Sequence, residues 1–304
     1  MSAQRAPLPG RRWHFTQGPI DLVIGADGEE LAVRAAHEAA WQRFGGVLQE
    51  LVVELSRLRQ RVSDEECSLQ GPIARRMWRA CAPFRPGFIT PMAAVAGAVA
   101  EEIVEVYARS GVSRAWVNNG GDIALHLTPG ASVRIGLFAD LARVGHSTGI
   151  DGNFIIASDL PVRGVATSGW RGRSFSLGIA DSVTVLAATA AEADAAATVI
   201  ANAVNVDDPG IHRLPANECK DDSDLGDLLV TRDVGTLAPA QVRSALDAGV
   251  ACAEALQRMG LVWSVVLVCQ GQWRIVQPLS SRETTLSPPT TPTGVGGAVG
   301  SVFA

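Results

Sequence analysis

The sequence predicts an α/β layered protein in which helices cover a mixed, largely antiparallel sheet. Two patterns lead to that class. Strand-length apolar runs come in groups, and longer stretches with apolar residues at helical spacing fall between the groups. The strict strand–helix alternation of a doubly wound parallel sheet is missing. A third observation agrees: apolar residues fill 47% of the 304 positions while aromatics fill only 5%, so helices must approach the sheet through small side chains.

The elements follow in order. Two short strands, 12–16 and 20–24, are joined at Gln17–Gly18, a turn signal. A helical region covers about 29–61, with Leu48, Leu51, Val52, Leu55 and Leu58 at helical spacing and Gly45–Gly46 as the point where it bends or splits. A helix is predicted over 72–80, after which Pro83 and Pro86 impose an extended connection. The segment from Thr90 to Gly111 predicts a helix with Pro91 in its first turn and Gly111 as its stop. Strands are predicted over 114–117, 123–127, 132–138, 153–157 and 181–187. The next helix, to about Val204, opens with a capping box in which Glu192 follows Thr189 by three residues. A polar loop, a helix over 239–259 and a strand over 262–268 paired with 273–276 complete a single domain, residues 1–279. Residues 280–304 are rich in Ser, Thr, Pro and Gly and read as a disordered tail.

Bulk properties narrow the partners. A net charge of −5 and a pI of about 5.6 give no basic face, which argues against nucleic acid. No run approaches the roughly 18 apolar residues of a membrane span, and the N-terminus has no apolar core of a secretory signal. The five cysteines are scattered without a C-x-x-C pair. The expectation is a cytoplasmic protein acting on a small molecule, with small-residue helices that leave room for a homo-oligomer.

Three segments carry polar chemistry. Asn118-Asn119-Gly120-Gly121-Asp122 lies between two strands; it makes either an ordinary tight hairpin or a turn whose amides and N–H groups cradle a phosphate or carbonyl. Thr167-Ser168-Gly169, followed by Arg171, Arg173 and Ser174, offers hydroxyls and guanidinium forks to an anion, or forms a polar surface loop. No G-x-S-x-G elbow surrounds Ser168. Asp194 and Thr198, four apart, share one helix face. They supply two oxygens to a hard cation such as Mg2+, or are a first-turn acid and a back-bonding threonine. His14, His37, His126, His146 and His212 make no metal spacing.

In this order, NNGGD (118–122), ATSG (166–169) and ADAAAT (193–198) resemble the ApbE family, whose best-known members cleave FAD and attach FMN to a threonine of a flavoprotein using Mg2+. The resemblance runs over about residues 12–270, and its wording is closest to an ApbE-related branch without a lipoprotein signal. It implies an ApbE-like, T-fold-like architecture, FAD or FMN as ligand, and Mg2+ held by Asp194, Thr198 and a backbone carbonyl within 91–97. Two family features differ here. Ala94-Val95-Ala96-Gly97 stands where flavin transferases have a lysine in A-K-G, and Ser176-Leu177-Gly178-Ile179-Ala180-Asp181 stands where they have H-x-x-D-P.

Three readings follow. In the first, an enzyme acts on FAD or a related nucleotide with Mg2+; Asn118, Asn119, Gly120, Gly121, Thr167, Gly169, Arg173 and Ser174 bind the ligand, and Asp122, Ser168 and Asp181 serve the chemistry. In the second, the same scaffold is a hydrolase or lyase of a small cyclic or amide metabolite, with Asp122, Asp181 or Asp194 as general base. In the third, it is a non-catalytic binding protein.

Overall fold

The computed structural model describes residues 2–137, 152–221, 223–279 and 301–303. The chain begins with β1 (Gln4–Leu8), β2 (Arg12–Gln17) and β3 (Ile20–Gly28), then α1 (Glu30–Val53), α2 (Leu55–Leu58) and α3 (Pro72–Cys81). A single 3-10 turn, Pro91–Ala94, leads into α4 (Val95–Glu105). The middle contains β4 (Val112–Asn119), β5 (Asp122–Leu127), β6 (Ser132–Leu137), β7 (Gly152–Ala157), β8 (Gly164–Ser168), β9 (Ser182–Ala187) and α5 (Ala190–Ala203). The last part holds β10 (Ile211–Pro215), α6 (Ala216–Cys219), β11 (Leu229–Val234), α7 (Pro239–Arg258), β12 (Ser264–Cys269) and β13 (Gln272–Val276). Within the stretch read as a tail, Ser301–Phe303 form β14, parallel to β6. The rest of 280–304, Phe138 and His146 lie outside the described residues.

One nine-stranded sheet organises the molecule, in the order β1-β2-β3-β4-β5-β8-β9-β12-β13. Every neighbouring pair in it is antiparallel. The expected antiparallel character is thus present, and the one parallel pairing among the described residues is β14 with β6.

Alternation along the strands sends successive side chains to opposite faces. Ala115, Val117, Ala124, Ala166, Val183 and Val185 join the core under the helices. Trp116, Ile123, Leu125, Val165 and Leu186 join a second core on the other face, with Val133, Ile135, Phe154 and Ile156 of the β6–β7 hairpin. The helix-side core is rich in alanine, and glycines mark where backbones meet. A Cβ on Gly164 would lie 2.1 Å from the Thr189 carbonyl oxygen, and one on Gly97 would lie 2.2 Å from that of Ala190. These two contacts wedge the start of α5 between β8 and α4.

Several local expectations need correcting. The long first helix runs straight through Gly45–Gly46 and breaks at Glu54, whose carboxylate accepts the backbone N–H groups of Gln70 (2.8 Å) and Gly71 (2.7 Å). A tertiary tie therefore ends it. Pro83 does not begin an extended connection but sits in a 3-10 turn, Ala82–Phe84; its fixed φ suits the first turn of a helix equally well. The helix expected from Pro91 is 3-10 until Ala94, whose φ of −125° and ψ of 15° redirect the chain before α4. Helix α4 then ends at Glu105, well short of Gly111, which has φ +83° in the turn before β4. Residues 166–168, open to reading as part of a loop, belong to strand β8, and the polar loop after α5 joins two strands that were not expected, β10 and β11. The capping box is present in its main part: Thr189 Oγ1 accepts the Glu192 N–H at 3.3 Å. All five cysteines are free thiols. Among the described residues no helix is long and apolar enough to cross a membrane.

Candidate functional site

The β4–β5 hairpin builds the first wall. Asn119 pairs with Asp122, leaving a two-residue turn with φ +67° at Gly120 and +117° at Gly121. Both values favour glycine, which explains the Gly-Gly pair. The hairpin reading and the site reading are therefore compatible. The Asn118 side-chain oxygen accepts the Gly121 N–H at 2.8 Å and holds the turn shut.

Alternation then separates the two asparagines. Asn118 points to the face shared by Trp116, while Asn119 follows Ala115 and Val117 onto the helix face. There its Nδ2 donates to the Ala96 carbonyl at 3.1 Å. Asp122, in register with Ala124, lies on this same face, and its Oδ1 accepts the Thr167 N–H at 3.1 Å. Both side chains are buried, with 7% and 8% of their residues exposed.

Helix α5 supplies the second carboxylate. Asp194 Oδ2 accepts the Gly97 N–H at 2.9 Å. The redirected start of α4 thus presents Ala96 C=O to Asn119 and Gly97 N–H to Asp194. The carbonyl-bearing segment expected within 91–97 is in this way bound to both. Thr198 follows Asp194 by one turn on the same helix face.

The two carboxylates feel each other. Burial raises Asp194 to about 7, against the pull of its backbone hydrogen bonds to Gly97 and Ala96. Burial first, and the Asp194 charge second, hold Asp122 well above the usual carboxylate range. Neither carboxylate has a cationic side chain in ion-pair contact among the described residues. Cys81 is a neighbour that the sequence did not indicate: burial raises its thiol, and the Asp194 charge raises it further.

The segment after β8 divides. Ser168, in register with Ala166, faces the helices, whereas Thr167 faces the other way and its hydroxyl meets that of Thr184 at 2.9 Å. Thr167 serves the Asp122 side of the sheet through its backbone N–H alone. The polar alternation of Ser182 and Thr184 in an otherwise apolar strand was the available signal for that pair. Gly169 packs on Asp181, where a Cβ would stand 2.5 Å from the carbonyl oxygen.

Asp181 sits in a brace: Arg171 Nε approaches its Oδ1 at 3.0 Å, and the Gln270 N–H donates to its Oδ2 at 2.5 Å. It ties the loop after β8 to the β12–β13 turn. Arg173 is exposed and lies over the hairpin turn; a Cβ on Gly120 would stand 3.1 Å from its Nη1. Ser174 is exposed beside it. Asn119, Asp122, Ser168 and Asp194 therefore share the helix side of the sheet, with Arg173 above the turn, while Asp181 acts one step away as a brace.

A protein-family model, described as AbpE bacteria, matches residues 4–275. The chain belongs to the AbpE_bact family. Among curated relatives of this AbpE_bact chain, a UPF0280 protein of Methanopyrus kandleri is 40% identical over 52% of the chain and 59% of its own length. A UPF0280 protein of Methanothrix thermoacetophila is 39% identical over 45% of the chain and 54% of its own length. The chain thus spans little more than half of these two relatives. A UPF0280 protein of Methanosarcina barkeri is 37% identical over 64% of the chain and 72% of its own length. Among solved structures, the ApbE protein of Thermotoga maritima MSB8 is similar at 13% identity and a TM-score of 0.46, over 91% of this chain and 97% of that one. The flavin transferase ApbE from Vibrio cholerae is similar at 13% identity and a TM-score of 0.42, over 91% and 98%.

Proposed function

We propose that this chain is an enzyme that binds FAD or a related nucleotide together with Mg2+ and cleaves the phosphoanhydride, with FMN passing to an acceptor hydroxyl. The observation that carries the reading is the Asp122–Asp194 pair, Asp122 buried and Asp194 half-buried, facing the hairpin turn and the start of α4 with no cationic side chain in ion-pair contact among the described residues. Membership of the AbpE_bact family supports a flavin nucleotide as ligand.

The donor set fits Mg2+. Among the described residues no group of three or more His, Cys, Asp or Glu could hold a metal. Mg2+ does not require one: it takes one or two carboxylates and completes its shell with hydroxyl, water and ligand phosphate oxygens. Asp194 and Thr198 would hold it, and it would offset charge developing on the phosphoanhydride.

The chain's own residues do the rest. Arg173 offers a fork to a phosphate above the Gly120–Gly121 turn. Ser168 donates from the strand beside Asp122. Asp122 accepts the proton of the attacking hydroxyl, from water or a protein side chain, as the new P–O bond to FMN forms and AMP leaves with the bridging oxygen. A raised carboxylate suits proton transfer near neutrality.

One observation favours a second reading. Two neighbouring carboxyl groups, one of them raised by the other's charge, can share a proton and act as an acid–base pair. Such a pair would serve a hydrolase or lyase of a small cyclic or amide substrate. The test is AMP release from FAD by the purified chain. Mg2+-dependent release that Asp194→Ala abolishes supports the first reading; turnover of an amide or cyclic substrate without Mg2+, and none of FAD, supports the second.

A further inference from the structure

Helix α3 turns Ile73, Ala74, Met77, Ala80 and Cys81 into the core and keeps Arg75, Arg76 and Arg79 on its outer side. These arginines border a recess of about 420 Å³ that Glu101 of α4 and Thr189 and Glu192 at the start of α5 close from the other side. That volume suits a small molecule.

The charges of the recess fall into two classes. Arg76 is fully committed: its Nε meets Glu101 at 2.9 Å, Nη1 meets Glu102 at 2.8 Å and Nη2 meets Glu105 at 2.6 Å. Glu101 also accepts the Ala191 N–H at 3.2 Å, so it is fixed on both sides. Within the lining, Arg76 and Glu101 offset each other in charge; Glu102 and Glu105, which Arg76 also meets, are outside it. Arg75 and Arg79 differ. They lie one helical turn apart, both are exposed, and neither guanidinium has a hydrogen bond or ion pair among the described residues. Of the carboxylates lining the recess only Glu192 remains to oppose them.

We infer that this recess binds a small phosphate-bearing anion, gripped by Arg75 and Arg79 against the fixed wall of Arg76, Glu101 and Thr189. Two guanidinium forks present donors in the plane that phosphate oxygens accept, and they leave an excess of one positive charge over Glu192. None of the residues lining the recess is among those assigned to the nucleotide site, so the two are tested separately.

The test is calorimetric titration of the full chain with inorganic phosphate and with phenyl phosphate at constant ionic strength. Wild type, Arg75→Gln/Arg79→Gln and Asp194→Ala are compared. The expected result is saturable 1:1 binding that weakens at least tenfold in the double arginine variant and is unchanged in Asp194→Ala. Both arginines are exposed, and an unaltered circular dichroism spectrum checks that the variant is folded. Absence of saturable binding overturns the inference. So does equal binding by the double variant, displacement by chloride as effective as by phosphate, or binding of an acidic peptide in preference to both phosphates. Loss of phosphate binding in Asp194→Ala alone would place the anion at the carboxylate site and likewise overturn it.

Discussion

Asp194 on α5 accepts a hydrogen bond from the Gly97 backbone N–H at 2.9 Å, and the same Gly97 lies so close to Ala190 that a Cβ would come within 2.2 Å of its carbonyl oxygen. One residue without a side chain thus sets both the packing of α4 on α5 and the position of the carboxylate. Gly97→Ala should destabilise the fold by about 2–3 kcal/mol through overpacking against backbone that cannot move aside. Gly45→Ala is the contrast. Its Cβ would meet nothing within 4 Å inside α1, and it should stabilise by about 0.5–1 kcal/mol. Urea denaturation of the two variants checks both signs.

The carboxylate pair predicts a pH dependence. Asp194 titrates near 7 in the folded chain and at its ordinary 3.8 when unfolded. Between those values the folded state binds the extra proton, so the contribution of Asp194 to stability is greatest below about 4 and falls as pH rises towards 7. Asp122 is raised for the same reason and adds to the slope. Asp194→Asn should flatten the profile between pH 4 and 7, measured by denaturation at a series of pH values without added cation.

Asn119 ties the hairpin to α4 through the Ala96 carbonyl at 3.1 Å. Asn119→Ala removes that bond while the Ala96 carbonyl keeps its partner within α4, and should cost about 0.5–1.5 kcal/mol. The loss should also reach the site, because Ala96 and Gly97 position Asp194. Denaturation together with nucleotide titration of this variant reads both effects.

Arg173 is exposed and supports nothing in the core. Arg173→Gln should change stability by no more than about 0.5 kcal/mol yet weaken binding of a phosphate-bearing nucleotide about tenfold, the size of one charge-assisted contact. The weakening should shrink at high salt. Titration at two ionic strengths, with thermal unfolding as control, distinguishes a ligand contact from a structural one.

Periodic features were legible in the sequence. The hairpin at Gly120–Gly121, the Thr189 cap and the β12–β13 pair are each specified by neighbouring residues, and each appears in the structure. Features fixed by distant partners were not. Nothing near Glu54 announces that its carboxylate will hold Gln70 and Gly71 and end the helix there. Residues 164–168 become β8 because β5 and β9 flank them, despite the glycine that opens the strand. In the site, spacing alone put Asp194 and Thr198 on one face. That Asp122 would join Asp194 depends on the parity of β5 and on the close approach at Gly97, both tertiary facts. Asp181 was grouped with the chemistry because it is an acid near a strand start, and its contact with Arg171 makes it a brace.

Under the proposed function, Asp194 anchors a cation-assisted nucleotide site. The most direct measurement is the affinity for FAD, by fluorescence and calorimetry, with and without Mg2+, in wild type and Asp194→Ala. Binding is expected to tighten at least tenfold with Mg2+ in wild type and to lose that Mg2+ response in the variant. FAD binding of equal strength in all four conditions, or none in any of them, would contradict it.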